Sequence, residues 1–145
     1  MITEKLKLIC KKILDLSNNK ISNLALQKLL YLILAYSLID SNEPVFEDKI
    51  EACQYGPAVP EAYYYVRYKK KELDSLSTNN LEKNTEKYIN EIFDTFGNVD
   101  PFVLVKLTQS YESWINSWRN SECVIKIESI KDCHKKLLKE TNFIF

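Results

Sequence analysis

The sequence predicts a mainly α-helical protein: a single-domain bundle of six or seven helices around a central apolar helix, with a small β-hairpin. Its 145 residues suit one domain with its own hydrophobic core. Two glycines and four prolines are too few for the many turns of a β-sandwich or barrel. Apolar residues recur at helical spacing along most of the chain. We therefore expect residues 1–145 to form one helical domain.

The first two helices are predicted from their caps and their apolar faces. Thr3 is suited to cap a helix over about residues 4–17, whose apolar residues lie on one face. Ser22 or Asn23 is expected to cap a second helix that extends to about Asp40. Because the second helix is apolar on nearly every side, we predict that it lies at the centre of the bundle.

The cellular compartment is predicted from the N-terminus and the cysteines. The first residues open an amphipathic pattern and not a signal peptide, and the four cysteines contain no C-x-x-C pair. The apolar stretch over residues 24–39 is shorter than the roughly 20 apolar residues that a membrane-spanning helix needs. We expect a cytoplasmic protein with reduced thiols and no membrane contact.

The middle of the chain is predicted to contain the β-hairpin. Residues 45–46 and 50–55 are expected to form two short strands around a turn at 47–49. The segment 56–60 is the sharpest break in the sequence, because Gly56 can adopt a positive φ and Pro57 excludes a helix at the residue before it. We expect this segment to fix how the chain leaves the hairpin.

A third helix is predicted from Pro60 to about Leu73, with proline at its first position. Tyr63, Tyr64 and Tyr65 point in three successive directions on this helix, so they cannot all face one core. Exposed tyrosines are favoured anchors of protein interfaces, but a tyrosine can also keep only its hydroxyl in solvent. We regard both interpretations as open.

The part of the chain after residue 80 is predicted to hold five more elements, four helices and one strand. An amphipathic helix over residues 81–96 is expected to end with Gly97 just after its C-cap, and Asp100 with Pro101 is expected to open a short helix through Leu107.

Two further helices and one strand are predicted beyond that short helix. Thr108 is expected to cap a helix that contains Trp114 and Trp118. Residues 124–127 are predicted to form a short strand, and Ser129 with Asp132 resembles a capping box in front of a last helix.

The charge pattern argues against nucleic-acid binding. Lysine plus arginine equals aspartate plus glutamate, at 20 each, so no net charge attracts phosphates. The basic and aromatic run 67–71 is better explained as a solvated helix end, and the second helix is too apolar to be a recognition helix. Nucleic-acid binding is therefore the less favoured interpretation of this segment.

No residue set predicts catalysis, a metal or a cofactor. Two distant glycines cannot build a phosphate-binding loop. Cys123, Cys133 and His134 are the candidates for metal binding or nucleophilic chemistry, but they lack the spaced pairs of zinc sites, so we interpret them as partly buried thiols and a surface histidine. A pocket that strongly shifts the pKa of Glu51 or His134 would favour an enzyme instead.

Three segments together resemble a known family. Residues 24–31 (LALQKLLY) are similar to its "K-L-Q-K-L-L-Y" helix, and residues 50–60 (IEACQYGPAVP) to its "I-E-A-W-x-Y-G-P-V-V-P" turn. Leu107 and Thr108 with Trp114 are similar to its "L-T-H-x-x-x-x-W" segment. In order and spacing, about residues 20 to 138 resemble the Panacea domain, the SocA-like antitoxin family of bacteria and phages.

The resemblance implies a binding protein and not an enzyme. The resemblance implies that this chain, like members of the family, neutralises a cognate protein toxin by binding it directly. The toxin is usually encoded by a neighbouring gene. One branch is a proteolytic adaptor that delivers its toxin to the ClpXP protease. Apart from the resemblance, a DNA-binding regulator is a further hypothesis, which the zero net charge and the missing recognition helix count against. Cys53, Ala25 and Gln109 depart from the family's common Trp, Lys and His, so this chain has no imidazole at position 109.

The resemblance and the tyrosine pattern together single out eleven motif or partner-contact residues. They are Gln27, Lys28, Tyr31, Glu51, Tyr55, Gly56, Pro57, Tyr64, Tyr68, Thr108 and Trp114. Gln27 and Lys28 either bond the carbonyls of the Tyr55-Gly56-Pro57 turn or line a shared pocket.

Overall fold

A computed structural model describes the chain from Met1 to Phe145. It contains eight helices and a three-stranded antiparallel sheet of order β2-β1-β3. The elements in chain order are α1 (Glu4–Leu16), α2 (Asn23–Asp40), β1 (Ile50–Cys53), β2 (Gly56–Ala58), α3 (Pro60–Tyr68), α4 (Lys70–Asp74), α5 (Lys83–Phe96), α6 (Pro101–Gln109), α7 (Glu112–Arg119), β3 (Val124–Ile125) and α8 (Ile127–Thr141). The predicted mainly helical fold with a small hairpin is therefore confirmed.

Helices α1 and α2 begin where their caps predict. The Thr3 hydroxyl accepts from the Leu6 amide, and the Ser22 hydroxyl accepts from the Ala25 amide. Helix α2 is buried along almost its whole length and packs against α3, α5, α6, α8 and β2. Each fully buried leucine in it contributes about 1.5–3 kcal/mol of apolar burial. The prediction of a central apolar helix is thus confirmed. None of the eight helices has the length and hydropathy of a membrane-spanning segment.

The hairpin lies later in the chain than predicted. Its strands are β1 and β2, which turn at Gln54 and Tyr55, whereas residues 45–46 form no strand. Val45 and Phe46 are buried in the core, and the Val45 amide donates to the Ser37 hydroxyl of α2. Their apolar character reflects packing under a loop and not pairing. The Gly-Pro segment is the second strand of the hairpin and not only a break after it.

The predicted third helix is divided into α3 and α4. Lys69 leaves the helical region, with φ −117° and ψ 37°, so the chain turns one residue after Tyr68. This division gives eight helices in place of the predicted six or seven. Gly97 is itself the C-cap of α5, with an ordinary φ of −61°, and a Cβ there would lie 2.8 Å from the Phe93 ring. Glycine is needed at this position for space and not for a left-handed turn.

The predicted start of α6 is confirmed, and those of α7 and α8 are wrong. The Asp100 carboxylate accepts from the Phe102 amide in front of α6. Thr108 does not cap α7; its hydroxyl donates back to the Leu104 carbonyl within α6. Ser129 does not cap α8, because the chain passes from β3 into this helix with only Lys126 between them. Strand β3 is correspondingly shorter than predicted and pairs with β1.

Candidate functional site

The motif side chains of α2 hold the outer edge of the hairpin. Strand β2 is an edge of the sheet, and the polar groups of such an edge need partners. The Lys28 ammonium donates to the Pro57 carbonyl at 2.9 Å, and the Gln27 side-chain oxygen accepts from the Val59 amide at 2.8 Å. Pro57 itself brings no amide hydrogen that would need an acceptor. Lys28 therefore bonds a turn carbonyl as one of our two interpretations predicted, whereas Gln27 bonds an amide.

Two further side chains hold the turn of the hairpin from the other side. The Trp114 indole donates to the Cys53 carbonyl at 2.9 Å, and the Gln109 side chain donates to the Gln54 carbonyl at 2.9 Å. Gln109 thus makes a hydrogen bond at the position where the resemblance led us to expect a histidine. We call Gln27, Lys28, Gln109 and Trp114 the hairpin clamp, since all four bond the backbone of residues 53–59.

Gly56 is required by conformation and by space. Its φ is +95°, which follows directly on the two-residue turn and which side-chain-bearing residues rarely adopt. A Cβ at Gly56 would lie 2.8 Å from the Thr108 hydroxyl oxygen and 3.5 Å from Lys28 Cε. Thr108 is fully buried, so it cannot easily yield. These two motif residues fix how closely α6 approaches the hairpin.

A groove of about 620 Å³ opens beside the clamp. It lies between the start of α2, the hairpin turn and the starts of α3 and α6. The residues that line it are Asn23, Leu24, Gln27, Lys28, Cys53, Gln54, Tyr55, Ala58, Tyr63 and Phe102. Gln27 and Lys28 thus also line a pocket, so the structure contains the geometry of both interpretations that the sequence left open.

Aromatic side chains surround this groove and continue along α3. Tyr55, Tyr63 and Phe102 are exposed by 55%, 40% and 61%, which is high for side chains of this size. The Tyr63 and Tyr64 rings meet edge to face at 5.6 Å, and the Tyr64 and Tyr68 rings stack at 6.2 Å. We call these five residues the aromatic face.

The structure places the successive tyrosines of α3 as their helical directions predict. Tyr65 is buried, while Tyr63 and Tyr64 are exposed. Contiguous exposed aromatic surface of this kind marks interaction sites. Sequence reasoning singled out Tyr55, Tyr64 and Tyr68, left Tyr63 open as one of three successive tyrosines, and missed Phe102. No local signal distinguishes Phe102, because it belongs to the apolar run Phe102–Val105 and lies three residues before the buried Val105, on the same side of the helix.

Lys28 is the one charged side chain of the groove wall. It is 1% exposed, and burial lowers the pKa of its ammonium to about 8. The neighbouring Cys53 thiol has a pKa that burial raises, so it gives no anion at neutral pH. The groove therefore combines apolar walls with a single buried positive charge.

Tyr31 belongs to a different polar cluster, one turn further along α2. Its hydroxyl lies 2.6 Å from the Ser113 hydroxyl and 2.8 Å from His134 Nε2, and His134 Nδ1 lies 2.6 Å from the Ile144 carbonyl. A carbonyl only accepts, so neutral His134 donates through Nδ1 and accepts from Tyr31, which in turn accepts from Ser113.

The prediction of a surface histidine is wrong. His134 is fully buried, and burial lowers the pKa of its imidazole. The rings of Tyr31, Tyr111 and Phe145 pack around it. Because its two nitrogens bond a tyrosine hydroxyl and a main-chain carbonyl, the cluster ties α8 and the last residues to α2.

The remaining candidates are not part of the groove. Glu51 lies in the middle of the sheet, opposite Ala58 and Val124, and lines a separate depression with Pro60 and Glu61. Cys10 is buried and Cys123 is exposed, with Cys53 and Cys133 between these extremes. No three His, Cys, Asp or Glu side chains lie close enough together to hold a metal ion.

The architecture defines a class: a helical scaffold that clamps a short hairpin and presents an aromatic face beside it. A family model described as antitoxin SocA-like, Panacea domain, matches residues 26–115, which is more than half of the chain. The chain belongs to this family of antitoxin-like proteins. The matched range includes the whole hairpin clamp but is narrower than the expected 20 to 138, since it ends before α8. No curated protein and no solved structure matches the chain.

Proposed function

We propose that this protein is an antitoxin that neutralises a cognate protein toxin by binding it directly through the aromatic face. The observation that carries the proposal is the contiguous exposure of Tyr55, Tyr63, Tyr64, Tyr68 and Phe102 on a member of an antitoxin family. Tyrosine and phenylalanine bury large areas at little cost in side-chain entropy, and they supply many interface hot spots.

The clamp explains why such a surface is suited to binding. Residues 53–59 are held by four side chains from three helices, so Tyr55 is presented from a fixed backbone. A preorganised surface loses less conformational entropy on association than a mobile one. An interface of the usual size, about 800 Å² on each partner, would cover the groove and the exposed side of α3.

The proposal is tested by growth in a naive host. Each gene that neighbours this one is induced alone and together with this chain. We expect one neighbour to stop growth alone and to be tolerated when this chain is present, and we expect the two proteins to co-purify at about one to one. If no neighbour is toxic, or if growth is not restored although this chain is expressed, the proposal is wrong.

The same experiment separates blocking from delivery to a protease. If this chain acts as an adaptor for a ClpXP-type protease, toxin abundance falls when the two are co-expressed and recovers in a host without that protease. If it blocks the toxin, abundance stays constant and the complex accumulates. Binding to DNA is the least favoured alternative, because the net charge is zero.

A further inference from the structure

The charge of Lys28 has no partner within the protein. None of the chain's eight ion pairs includes Lys28. Its one hydrogen bond goes to the Pro57 carbonyl, and an ammonium has three hydrogens to donate. No aspartate or glutamate lines the groove, whose other titratable groups are the Cys53 thiol and the Tyr55 and Tyr63 hydroxyls. Buried charges in folded proteins are normally paired, so this one is an exception.

The side chain of Lys28 lies at the boundary between the buried core and the groove. It is 1% exposed, yet it forms part of the wall of an open groove. Leu24, Tyr55, Tyr63 and Phe102 make the lining largely apolar, and its other polar side chains are the uncharged amides of Asn23, Gln27 and Gln54. A charge in such surroundings attracts an opposite charge more strongly than it would in water. The groove therefore favours a ligand that combines a small anionic group with an apolar body.

We propose that the groove receives an aspartate or glutamate side chain of the partner, whose carboxylate pairs with the Lys28 ammonium between the rings of the aromatic face. This inference rests on the proposed function and deepens it, since it states the chemistry that the toxin presents. The carboxylate accepts from the ammonium hydrogens that Pro57 leaves free. The aromatic face then covers the segment that carries this acidic residue.

The proposal predicts a response that can be measured without the toxin. Acetate is the smallest carboxylate probe, and it fits wherever a side-chain carboxylate does. A carboxylate beside Lys28 favours its charged form, so acetate raises its pKa. We expect a rise of roughly 1 in the pKa of Lys28 at saturating acetate, relative to chloride at the same ionic strength.

The measurement uses the full chain with lysine side chains labelled with carbon-13 at Cε. The Lys28 resonance is assigned through its backbone and titrated from pH 6 to 10 in acetate and in chloride. Lys70, which is exposed and paired with Asp74, is the internal control, and its Cε chemical shift is expected to be the same in acetate and in chloride at each pH. If Lys28 also titrates alike in both, no carboxylate reaches it and the proposal is overturned.

A second measurement identifies the partner as the source of the carboxylate. Lys28→Met removes the charge and keeps much of the side chain's length and shape, and Lys70→Met is the matched control. We expect Lys28→Met to weaken the complex with the purified toxin by roughly tenfold or more, because it leaves the partner's carboxylate buried and unpaired. Lys70→Met is expected to have no effect.

Failure of this inference is distinguishable from failure of the proposed function. If wild type and Lys28→Met neutralise and bind the toxin equally, the antitoxin function stands and the acidic contact is overturned. If no neighbour is a toxin, the proposed function fails, and an unchanged Lys28 in the acetate titration overturns the carboxylate site as well. If Lys28→Met does not fold, the acetate titration of the wild type still shows whether a carboxylate reaches Lys28.

Discussion

Lys28 and Tyr31 are two buried polar side chains of α2 that lie three residues apart, and they differ in how fully other residues satisfy their hydrogen-bonding groups. Tyr31 is held on every side: it bonds Ser113 and His134, and its ring stacks on Tyr111. Lys28 makes one hydrogen bond and faces an open groove. A fully satisfied buried network specifies a structure, whereas a partly satisfied charge is costly unless a ligand completes it. From this difference we infer that Tyr31 stabilises the fold and that Lys28 contributes to binding.

The largest effect is expected at Gly56, which lies between Lys28 and Thr108. Gly56→Ala should lower the free energy of unfolding by about 3 kcal/mol, through strain at positive φ and overlap with the Thr108 hydroxyl. Chemical denaturation measures this loss. In a Thr108→Ala background the same change should cost less, because only the backbone strain remains. An equal loss in both backgrounds would contradict the close approach of α6.

The variants Tyr31→Phe and Lys28→Met test the two residues side by side. Tyr31→Phe should cost about 2 kcal/mol, because it leaves Ser113 and His134 buried without their shared partner. Lys28→Met should change stability at pH 7 by less than about 1 kcal/mol, since removing an unpaired buried charge offsets the lost hydrogen bond. Denaturation of the two variants measures both values. The reverse order of losses would show that Lys28 is the structural residue.

Lys28 should also make the protein more stable in mild alkali. Its pKa is about 8 in the folded state and near 10.5 in the unfolded state, so between these values the unfolded chain binds more protons and stability rises with pH. We expect a gain of about 1–2 kcal/mol between pH 8 and 9.5. Denaturation at a series of pH values measures it. Lys28→Met should lack this gain, and a gain that persists in the variant would have another source.

His134 should act in the opposite pH range with a smaller effect. Burial lowers its pKa below the ordinary 6.5, so the unfolded chain takes up a proton first as the pH falls. Its contribution to stability is complete well above pH 6.5 and is lost progressively as the pH falls below that value. His134→Gln should flatten this part of the stability profile. An unchanged profile would mean that the imidazole is not held neutral.

Local sequence patterns predicted the elements well where side chains act on their own backbone. The caps at Thr3 and Asp100 and the burial of α2 follow from interactions within a few residues or from composition alone. The predictions failed where a distant partner decides. Residues 45–46 have strand-like composition but are buried under α2, and Thr108 has the character of a cap but bonds its own helix beside Gly56.

The candidate site was predictable in its members and not in its arrangement. The resemblance named Gln27, Lys28 and Trp114, yet the bonds of the clamp join residues 29 to 61 positions apart, which no local pattern specifies. The burial of His134 was missed for the same reason, because its partner Tyr31 is 103 positions away. Phe102 and Tyr63 complete the groove only when α3 and α6 meet the hairpin.

Binding of the toxin by the aromatic face is best measured through the dissociation constant of the complex for a Tyr64→Ala, Tyr68→Ala double variant. Phe143→Ala is the matched control, since Phe143 is an equally exposed ring that lies with α5 and α8 and away from the groove. We predict that the double variant keeps the wild-type stability within about 1 kcal/mol and binds at least about 30-fold more weakly, while the control binds like the wild type. Equal binding by all three proteins would contradict the account, because the toxin would then contact a different surface.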